Sequence, residues 1–499
     1  MATEAYLFAA VRRTARSFSS YSIKYSFQLT ILLALIVGHI LLVPHAWSSQ
    51  ISIWSDENVD VIKKSSFTGH DGGPAALPQK IDSSHNSLDT GDGDQEDQVL
   101  KEKNEIRKLI GPSLENEDRL MRQSVHILDT ESAYVWLSRF ISTRPWNCPL
   151  HSQRAWIEAI MLALQRNQLP LCKELLGLVA SIISIESGFH ANPLAIDPSR
   201  DRSMENMLAR AEEKLYQKYG SLLAIPPVAK LYGEYKDRYY AKLINCKTEW
   251  EIELVARNIA ADLRSDTSKL PAIVRGVINR KIGKLTNVIR SKGSMQLKFS
   301  TARKVMKERG DNFSDDELLE YMYTINGGVD VGVAALKPAF IQYAAWNNHG
   351  PELSWLFFVG MDYNYGFFSS RNMMEQIRIR DLSGQNIGID GDLLRRDKDG
   401  KLDIAGSETL IAAQEALPLI PKDKILKAFL LEKDPDYIYT DIHQIIAKRH
   451  REIFGDSPFA IIGRRSMGEG AEVKYGTTWT TDVYFQKLDR HLNSIPWDD

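Results

Sequence analysis

The chain has 499 residues and a formal net charge of −2, from 62 basic and 64 acidic side chains. An apolar fraction of 43% and ten tryptophans are typical of a globular protein with a sizeable core, and they exclude a largely disordered chain. No basic stripe with interleaved aromatic residues occurs, so the sequence argues against a nucleic-acid partner.

The N-terminal segment, residues 1–50, has the pattern of an export signal. An uncharged, mainly apolar run occupies residues 27–43. The four basic residues before it are Arg12, Arg13, Arg16 and Lys24. This pattern is typical of a secretory signal peptide or of an uncleaved signal anchor, and the length of the run fits both classes. A poor cleavage site follows at Ala46–Ser49. We therefore expect export, and the sequence leaves open whether the segment is cleaved or stays as a membrane anchor.

Residues 51–110 differ in composition from what precedes and follows them. They are rich in Ser, Gly, Asp and Lys and contain almost no aromatic residues. Such a segment cannot bury enough apolar surface to offset the loss of chain entropy, so it predicts a flexible polar linker. The folded body is then expected over residues 111–499.

The stretch 175–193 carries the most informative pattern. Its apolar residues recur at helical spacing, at Leu175, Leu178, Val179 and Ile182. The next position on the same helical face is Glu186. A carboxylate buried at the end of an apolar helical face, with no cation beside it, has a raised pKa and suits a general acid. The alternative is a surface helix end with an ordinary solvated glutamate. Ser187 and Gly188 are expected to end the helix.

The rest of the body reads as mainly α-helical. Helical patterns run over 129–141, 152–165 and 171–184, and further helices over 202–270 predict a helical insertion at about 200–290. Repeated Gly-Asp and Asp-Gly steps predict a small β-hairpin excursion at about 381–405. This segment is similar to a calcium loop, but Arg395 and Gly406 occupy positions that need carboxylates, so a turn is favoured.

The three cysteines give no metal-site pattern. Cys172 fits a small core residue, while Cys148 and Cys246 are compatible with one disulfide in an oxidising compartment. No C-x-x-C and no zinc-ligand spacing occurs, so we expect no metal and no cofactor.

Three further segments follow the Glu186-Ser187 pair in order: Gly293-Ser294-Met295-Gln296, a helix with Gly332 and Leu336, and Tyr363-Asn364 before Gly366. This series resembles that of lytic transglycosylases and goose-type lysozymes: Glu-Ser, Gly-Leu-Met-Gln, a helix with Gly-x-x-x-Leu, and Ala-Tyr-Asn-Ala-Gly. More narrowly, residues 115–495 resemble a family of proteobacterial envelope proteins, many of them lipoproteins, formerly of unknown function. Ser369–Asn372 and the Gly-Asp-Leu-Leu-Arg stretch at 391–395 carry that second likeness.

The resemblance implies a lysozyme-like, mainly α fold whose cleft holds a peptidoglycan glycan strand in the bacterial envelope, facing the periplasm. Glu186 would be the sole catalytic carboxylate, first protonating the oxygen between N-acetylmuramic acid and N-acetylglucosamine. It would then take the proton of the muramoyl 6-hydroxyl and close a 1,6-anhydro ring. The resemblance also implies a supporting and substrate-binding set: Ser187, Gly293, Ser294, Met295, Gln296, Tyr363 and Asn364.

The sequence departs from the family pattern in four places. Ser294 replaces leucine, Asp362 replaces an apolar residue, Tyr365 replaces a small residue, and Glu186 and Gln296 are 110 residues apart (296 − 186). Asp362 is either a second polar residue of the cleft or a helix end facing water. Because of these departures, we keep a second hypothesis: an envelope protein of the same fold that is catalytically inactive and binds glycan strands or a protein partner. A third, true hydrolysis with Asp362 holding a water, ranks last. The sequence identifies no protein partner.

Overall fold

The computed structural model describes residues 113–142, 148–194, four two-residue pieces within 204–217, 226–267, 289, 291–346, 354–396, 402–462 and 481–495. The predicted signal or anchor segment at 1–50 and the predicted linker at 51–110 lie outside the described residues. Within the described part of the chain, no helix is both long enough and apolar enough to cross a membrane.

The predicted mainly α fold is confirmed. The helices are α1 (Ser113–Ser124), α2 (Thr130–Ser142), α3 (Gln153–Arg166), α4 (Lys173–Ser187), α5 (Pro226–Ile244), α6 (Glu249–Thr267), α7 (Phe299–Arg309), α8 (Asp315–Met322), α9 (Ile325–Ala345), α10 (Ser354–Tyr365), α11 (Ser369–Ser383), α12 (Glu408–Ala416), α13 (Lys422–Phe429), α14 (Asp441–Phe454) and α15 (Thr481–Leu492). Short 3₁₀ helices occupy Leu150–Ser152 and Pro435–Tyr439. The strands β1 (Ser291–Lys292) and β2 (Leu297–Lys298) form a two-stranded sheet.

The hairpin predicted at about 381–405 needs a correction. Helix α11 continues into this range, to Ser383, and the described residues after it form one isolated antiparallel bridge between Arg396 and Leu402. The two-stranded sheet lies instead at 291–298. Residues 397–401, where the calcium-loop likeness was centred, lie outside the described residues.

The chain divides into two compact units. The described part of the smaller unit lies within 192–293 and contains α5, α6 and β1. Helices α5 and α6 pack together, and their tyrosines make the expected helix contacts: the Tyr235 hydroxyl donates to Asp266 at 2.6 Å. A fully buried ion pair in this unit joins Lys292 to Glu253 of α6 at 2.9 Å.

The larger unit, drawn from 113–191, 294–462 and 481–495, is arranged around α9. This helix begins at the N-cap Thr324, whose hydroxyl accepts from the Gly327 N–H at 2.9 Å, and it packs against α1, α3, α4, α7, α8 and α10. Its one acidic residue, Asp330, is 1% exposed and receives both guanidinium N–H groups of Arg309 at 2.7 Å. Because Tyr321 also donates to Asp330, the buried carboxylate fastens α7 and α8 to α9.

The second half of the larger unit packs α12 and α14 on α11. Its core consists of aliphatic and aromatic residues with 0–7% exposure, among them Ile379, Leu393, Leu410, Phe429, Tyr437 and Ile446. All three cysteines are free, and Cys172 is a buried core residue, as predicted. The disulfide compatible with Cys148 and Cys246 is therefore not formed in this structure.

Candidate functional site

Glu186 lies in the last turn of α4, as the apolar stripe predicted. It is 8% exposed, which excludes the alternative of a solvated surface glutamate. The helix ends because Gly188 and Phe189 both adopt the left-handed conformation, with φ of 59° and 60°. Phe189 is 2% exposed and packs edge-on against Trp156, with ring centroids 5.5 Å apart. The packing of that ring fixes the reversal directly after Glu186, at a backbone conformation that costs about 1–3 kcal/mol for a residue other than glycine.

The predicted Gly-Ser-Met-Gln segment is the tight turn between β1 and β2. Gly293, the last residue of the smaller unit, has φ of 73°, and Gln296 has φ of 50°. Ser294, Met295 and Gln296 belong to the larger unit and are 0%, 1% and 3% exposed. The turn is thus a buried, conformationally strained segment, and not an exposed surface turn.

Two glycines of α9 make room for this turn. A Cβ atom at Gly328 would lie 2.6 Å from the Ser294 Oγ, and one at Gly332 would lie 2.9 Å from the Met295 Cβ. These glycines, four residues apart on one face of α9, form what we call the glycine seat. The family resemblance identified Gly332 but not Gly328. The spacing of four residues between these two glycines was the signal that could have identified Gly328.

Tyr363 of α10 connects the turn to Glu186. Its hydroxyl donates to the Met295 carbonyl oxygen, and its ring is 4% exposed. The pKa of Tyr363 lies well above 10, because burial disfavours the phenolate and the negative charge of Glu186 adds to that effect. The structure therefore brings together three of the predicted segments, at Glu186, Met295 and Tyr363.

Two buried oxygen atoms of the predicted set have no hydrogen-bond partner among the described residues. These are the Ser294 Oγ and the Asn364 Oδ1, on residues that are 0% and 3% exposed. A buried polar atom without a partner costs about 1–3 kcal/mol, so it calls for an explanation, and a ligand is one. Ser187 behaves differently, because its hydroxyl bonds the Ile183 carbonyl of its own helix at 3.0 Å. The side chain of Tyr365 lies outside the described part of the structure.

Asp362 is 0% exposed, so the alternative of a helix end facing water is wrong. One carboxylate oxygen accepts from the Tyr343 hydroxyl at 2.5 Å, and the other accepts from the Ser370 N–H at 2.8 Å and hydroxyl at 2.7 Å. Burial raises the pKa of Asp362 to about 6, although these hydrogen bonds act in the opposite direction. Both of its oxygens are committed to the protein, which identifies Asp362 as a structural residue.

Asp362 belongs to a larger buried set that we call the α11 network: Gln342, Tyr343, Asp362, Ser370, Arg371 and Asn372. Arg371 is 0% exposed, and its guanidinium donates to the Gln342 side chain at 2.9 Å and to the Glu432 carbonyl at 2.7 Å. It also donates to the Asn372 side chain at 3.1 Å and to the Asp434 carbonyl at 3.1 Å. Ser369–Asn372 is one of the two stretches that carried the narrower resemblance. Its hydrogen bonds within this network give it a structural role.

In the second stretch, 391–395, side-chain oxygens accept the backbone hydrogen bonds that a neighbouring strand would otherwise accept. The Gln376 side-chain oxygen accepts from the N–H groups of Asp390 and Gly391 at 2.9 and 2.8 Å. The Glu432 carboxylate accepts from the N–H groups of Leu393 and Leu394 at 2.5 and 3.1 Å. These bonds satisfy the backbone locally, so the segment is an ordered irregular loop.

Among the described residues, no cluster of three or more His, Cys, Asp or Glu side chains is arranged to hold a metal ion. The chain matches the family model described as "Protein of unknown function (DUF1615)" over residues 150–467. No curated protein and no solved structure matches it. The match spans more than half of the sequence and includes Glu186, the 293–296 turn and Tyr363, and the chain accordingly belongs to the DUF1615 family, whose function is unknown.

Proposed function

We propose that this protein is a peptidoglycan lytic transglycosylase in which Glu186 is the single acid–base residue. One observation carries the proposal: Tyr363 donates to the Met295 carbonyl, and Glu186 is close enough to contribute to the raised pKa of the same phenol. Met295 and Tyr363 are 68 residues apart, and Glu186 lies more than 100 residues before Met295. The same three segments carry the resemblance to transglycosylases, and their convergence is what a shared site requires.

The proposed reaction needs one carboxylate and no water. Protonated Glu186 gives its proton to the glycosidic oxygen as the bond from C1 of N-acetylmuramic acid breaks, and N-acetylglucosamine leaves with that proton. The resulting carboxylate takes the proton of the muramoyl 6-hydroxyl, whose oxygen attacks C1 and closes the 1,6-anhydro ring. Glu186 ends protonated, ready for another cycle. Hydrolysis normally uses a second carboxylate at a defined distance, and Asp362 has both oxygens engaged elsewhere.

The neighbouring side chains suit an amide- and hydroxyl-rich substrate. Tyr363 keeps its proton because its pKa lies well above 10, and it donates that proton to the Met295 carbonyl, so its oxygen can still accept from a substrate N–H or O–H. The unpartnered oxygens of Ser294 and Asn364 are acceptors for the N–H or O–H groups of the sugars. Met295, which is 1% exposed, supplies apolar packing within the turn.

A second candidate function is glycan binding without cleavage. The burial of the 293–296 turn favours it, since Ser294, Met295 and Gln296 are all 3% exposed or less and Glu186 is 8% exposed. A sugar would contact these side chains only if the turn or a neighbouring element moved. If that movement does not align Glu186 with the glycosidic bond, the protein binds and does not cut.

The deciding experiment is a digest of purified peptidoglycan with the full chain, followed by mass spectrometry. We expect products ending in 1,6-anhydromuramic acid from the wild type and none from Glu186→Gln. Glu174→Gln is the matched control, because Glu174 is a buried glutamate (6% exposed) at the other end of the same helix. It is expected to cut like the wild type.

Three results would change the conclusion. Equal cleavage by Glu186→Gln would remove Glu186 from the mechanism, and reducing ends without an anhydro ring would show hydrolysis. If the wild-type chain is folded, co-sediments with peptidoglycan and releases nothing, binding without cleavage is the function.

This substrate also implies a location. We propose that the protein works in the bacterial envelope on the periplasmic side, with residues 1–50 as signal or anchor. Cell fractionation followed by carbonate extraction tests this, because an anchored chain stays in the membrane pellet and a cleaved one is released. Recovery of the chain in the cytoplasm would contradict the proposal.

A further inference from the structure

The C-terminal segment 481–495, which comprises α15 and Ile495, lies after the residues matched by the family model. It packs against α4 and α10, the two helices that carry Glu186 and Tyr363. Four of its apolar residues are 0–4% exposed: Tyr484, Leu488, Leu492 and Ile495. This segment therefore buries a continuous apolar face on both helices of the candidate site.

Two glycines, one on each site helix, allow the close approach of this segment. A Cβ atom at Gly177 of α4 would lie 2.6 Å from the Ile495 Cδ1, and one at Gly360 of α10 would lie 2.5 Å from the Leu488 Cδ2. Gly360 is about one helical turn before Tyr363. Each helix thus approaches the C-terminal segment closely at a glycine, where a larger residue would require the Ile495 or Leu488 side chain to shift.

A polar contact fixes the end of α4 as well. The Ser184 hydroxyl lies 3.0 Å from the His491 Nε2, and the His491 Nδ1 lies 2.7 Å from the Lys487 carbonyl oxygen. The carbonyl can only accept, so Nδ1 carries the proton and Nε2 accepts from the Ser184 hydroxyl. Burial lowers the pKa of His491 below its usual 6.5, which keeps the ring neutral at pH 7.

The contact lies on the side of α4 away from Glu186. Ser184 and Glu186 are two residues apart, which in an α-helix is a rotation of about 200°. Gly177 and Glu186 are nine residues apart, a rotation of about 900°, so Gly177 also lies opposite Glu186. The C-terminal segment therefore supports α4 from behind while the front of the helix carries the candidate acid.

A serine hydrogen-bonded to a histidine is also the arrangement of a nucleophile and its base. Ser184, however, lies within α4, where the neighbouring backbone N–H groups bond carbonyls one turn earlier. The N–H groups of that helix cannot then stabilise an oxyanion, which acyl transfer requires. The Ser184–His491 pair therefore fits a positioning role better than a catalytic one.

We propose that the C-terminal segment 481–495 sets the position of Glu186 relative to Tyr363, with His491 as the positioning residue that holds the end of α4 through Ser184. The catalytic part of this statement rests on the proposed transglycosylase function. The structural part does not, since it concerns the order of one helix end.

The test compares three variants of the full chain by hydrogen–deuterium exchange at pH 7 and by kinetics on glycan strands. His491→Leu removes the acceptor, and His491→Gln keeps one in its amide oxygen. His450→Leu is the matched control, because His450 is also buried (5% exposed) and bonds Asp381 at 3.2 Å, on a helix that packs against α11 and α13.

We expect His491→Leu to raise exchange in the last turn of α4 by about fivefold, the effect of losing one ordinary hydrogen bond. The kcat should fall at unchanged KM, because the substrate still binds while the acid is misplaced. His491→Gln should restore both values, and His450→Leu should leave α4 exchange at the wild-type level.

The proposal fails if the last turn of α4 in His491→Leu exchanges at the wild-type rate. It also fails if exchange in His491→Leu rises equally throughout the chain, or if His450→Leu raises exchange in α4 by the same amount. Should the wild type cut no glycan, the exchange measurement still decides whether His491 orders α4. Failure of the proposed function and failure of this inference are therefore separate results.

Discussion

The candidate site and the α11 network are both built from buried polar side chains, and Asp362 of the network is two residues from Asn364 of the site. Both oxygens of Asp362 accept hydrogen bonds from the protein, at 2.5–2.8 Å. The Asn364 Oδ1 has no hydrogen-bond partner within the described part of the chain, although the residue is 3% exposed. The polar side chains are similarly buried in the two regions. The regions differ in which polar atoms receive a hydrogen-bond partner from the protein itself.

That difference separates structural from functional polar groups. A network whose atoms are all paired stabilises one arrangement of helices, and α11 with its loop at 390–394 is such an arrangement. An unpaired buried atom destabilises the fold, and a ligand that supplies the missing bond is one reason for its retention. Three experiments test this distinction, in order of decreasing effect.

The largest effect is expected from Arg371→Ala. Its removal leaves the buried Gln342 and Asn372 side-chain oxygens without this donor. It also removes one donor each from the Glu432 and Asp434 carbonyls, which keep the Asn372 amide and the Tyr437 N–H. We expect the free energy of unfolding, measured by urea denaturation, to fall by about 3–5 kcal/mol. The control is Arg380→Ala, since Arg380 is 40% exposed in its ion pair with Asp381 and should cost less than about 1 kcal/mol. Similar losses for the two variants would mean that the network is not a structural centre.

Asp362→Asn tests the network through its pH dependence. The pKa of Asp362 rises from an ordinary 3.8 to about 6 on folding, so the folded state holds this proton more tightly than the unfolded state does. The stabilisation is complete below pH 3.8 and is lost as the pH rises through 6. A shift of this size corresponds to about 3 kcal/mol, at about 1.4 kcal/mol per pKa unit.

The measurement is the difference in unfolding free energy between wild type and Asp362→Asn at several pH values, which cancels the other titrating groups. Relative to the variant, the wild type should lose stability between pH 4 and pH 7. Parallel curves would show that Asp362 is ionised in both states over this range.

The smallest effect comes from a pair of serines. Ser370→Ala removes a donor to Asp362 and should lower the unfolding free energy by about 1–2 kcal/mol. Ser294→Ala removes an unpartnered hydroxyl from a residue that is 0% exposed, and should leave stability unchanged or raise it by about 1 kcal/mol. Ser294→Ala alone should weaken glycan binding, measured by co-sedimentation. If both serines cost the same stability, the distinction between the two regions fails.

Local patterns predicted the position of Glu186 well. The apolar stripe and Gly188 lie within a dozen residues of it, and both the helix and its left-handed end depend on nearby residues. The resemblance implied that Tyr363 and Met295 belong to one site, but their contact was not predicted, because no local pattern specifies a partner 68 residues away. The unpartnered oxygens of Ser294 and Asn364 were unpredictable for a related reason: an absent bond depends on everything that surrounds the atom.

The described residues of the predicted hairpin form only the Arg396–Leu402 bridge, for a specific reason. The Gly-Asp steps after α11 predicted paired strands, but Gln376 and Glu432 supply acceptors for the backbone N–H groups that a partner strand would have received. The observed strands at 291–298 have two residues each, too few to produce an alternating pattern.

The distance along the chain between the parts of the site has a consequence for its biosynthesis. Tyr363 is 177 residues after Glu186 (363 − 186). At the rate at which ribosomes extend a chain, Glu186 is made roughly 10–35 s before Tyr363. During that interval the helix end exists without Tyr363, and any product truncated in between lacks the pair altogether. Competence is thus delayed until nearly three quarters of the polypeptide has been translated, which ties the proposed cutting activity to completed molecules.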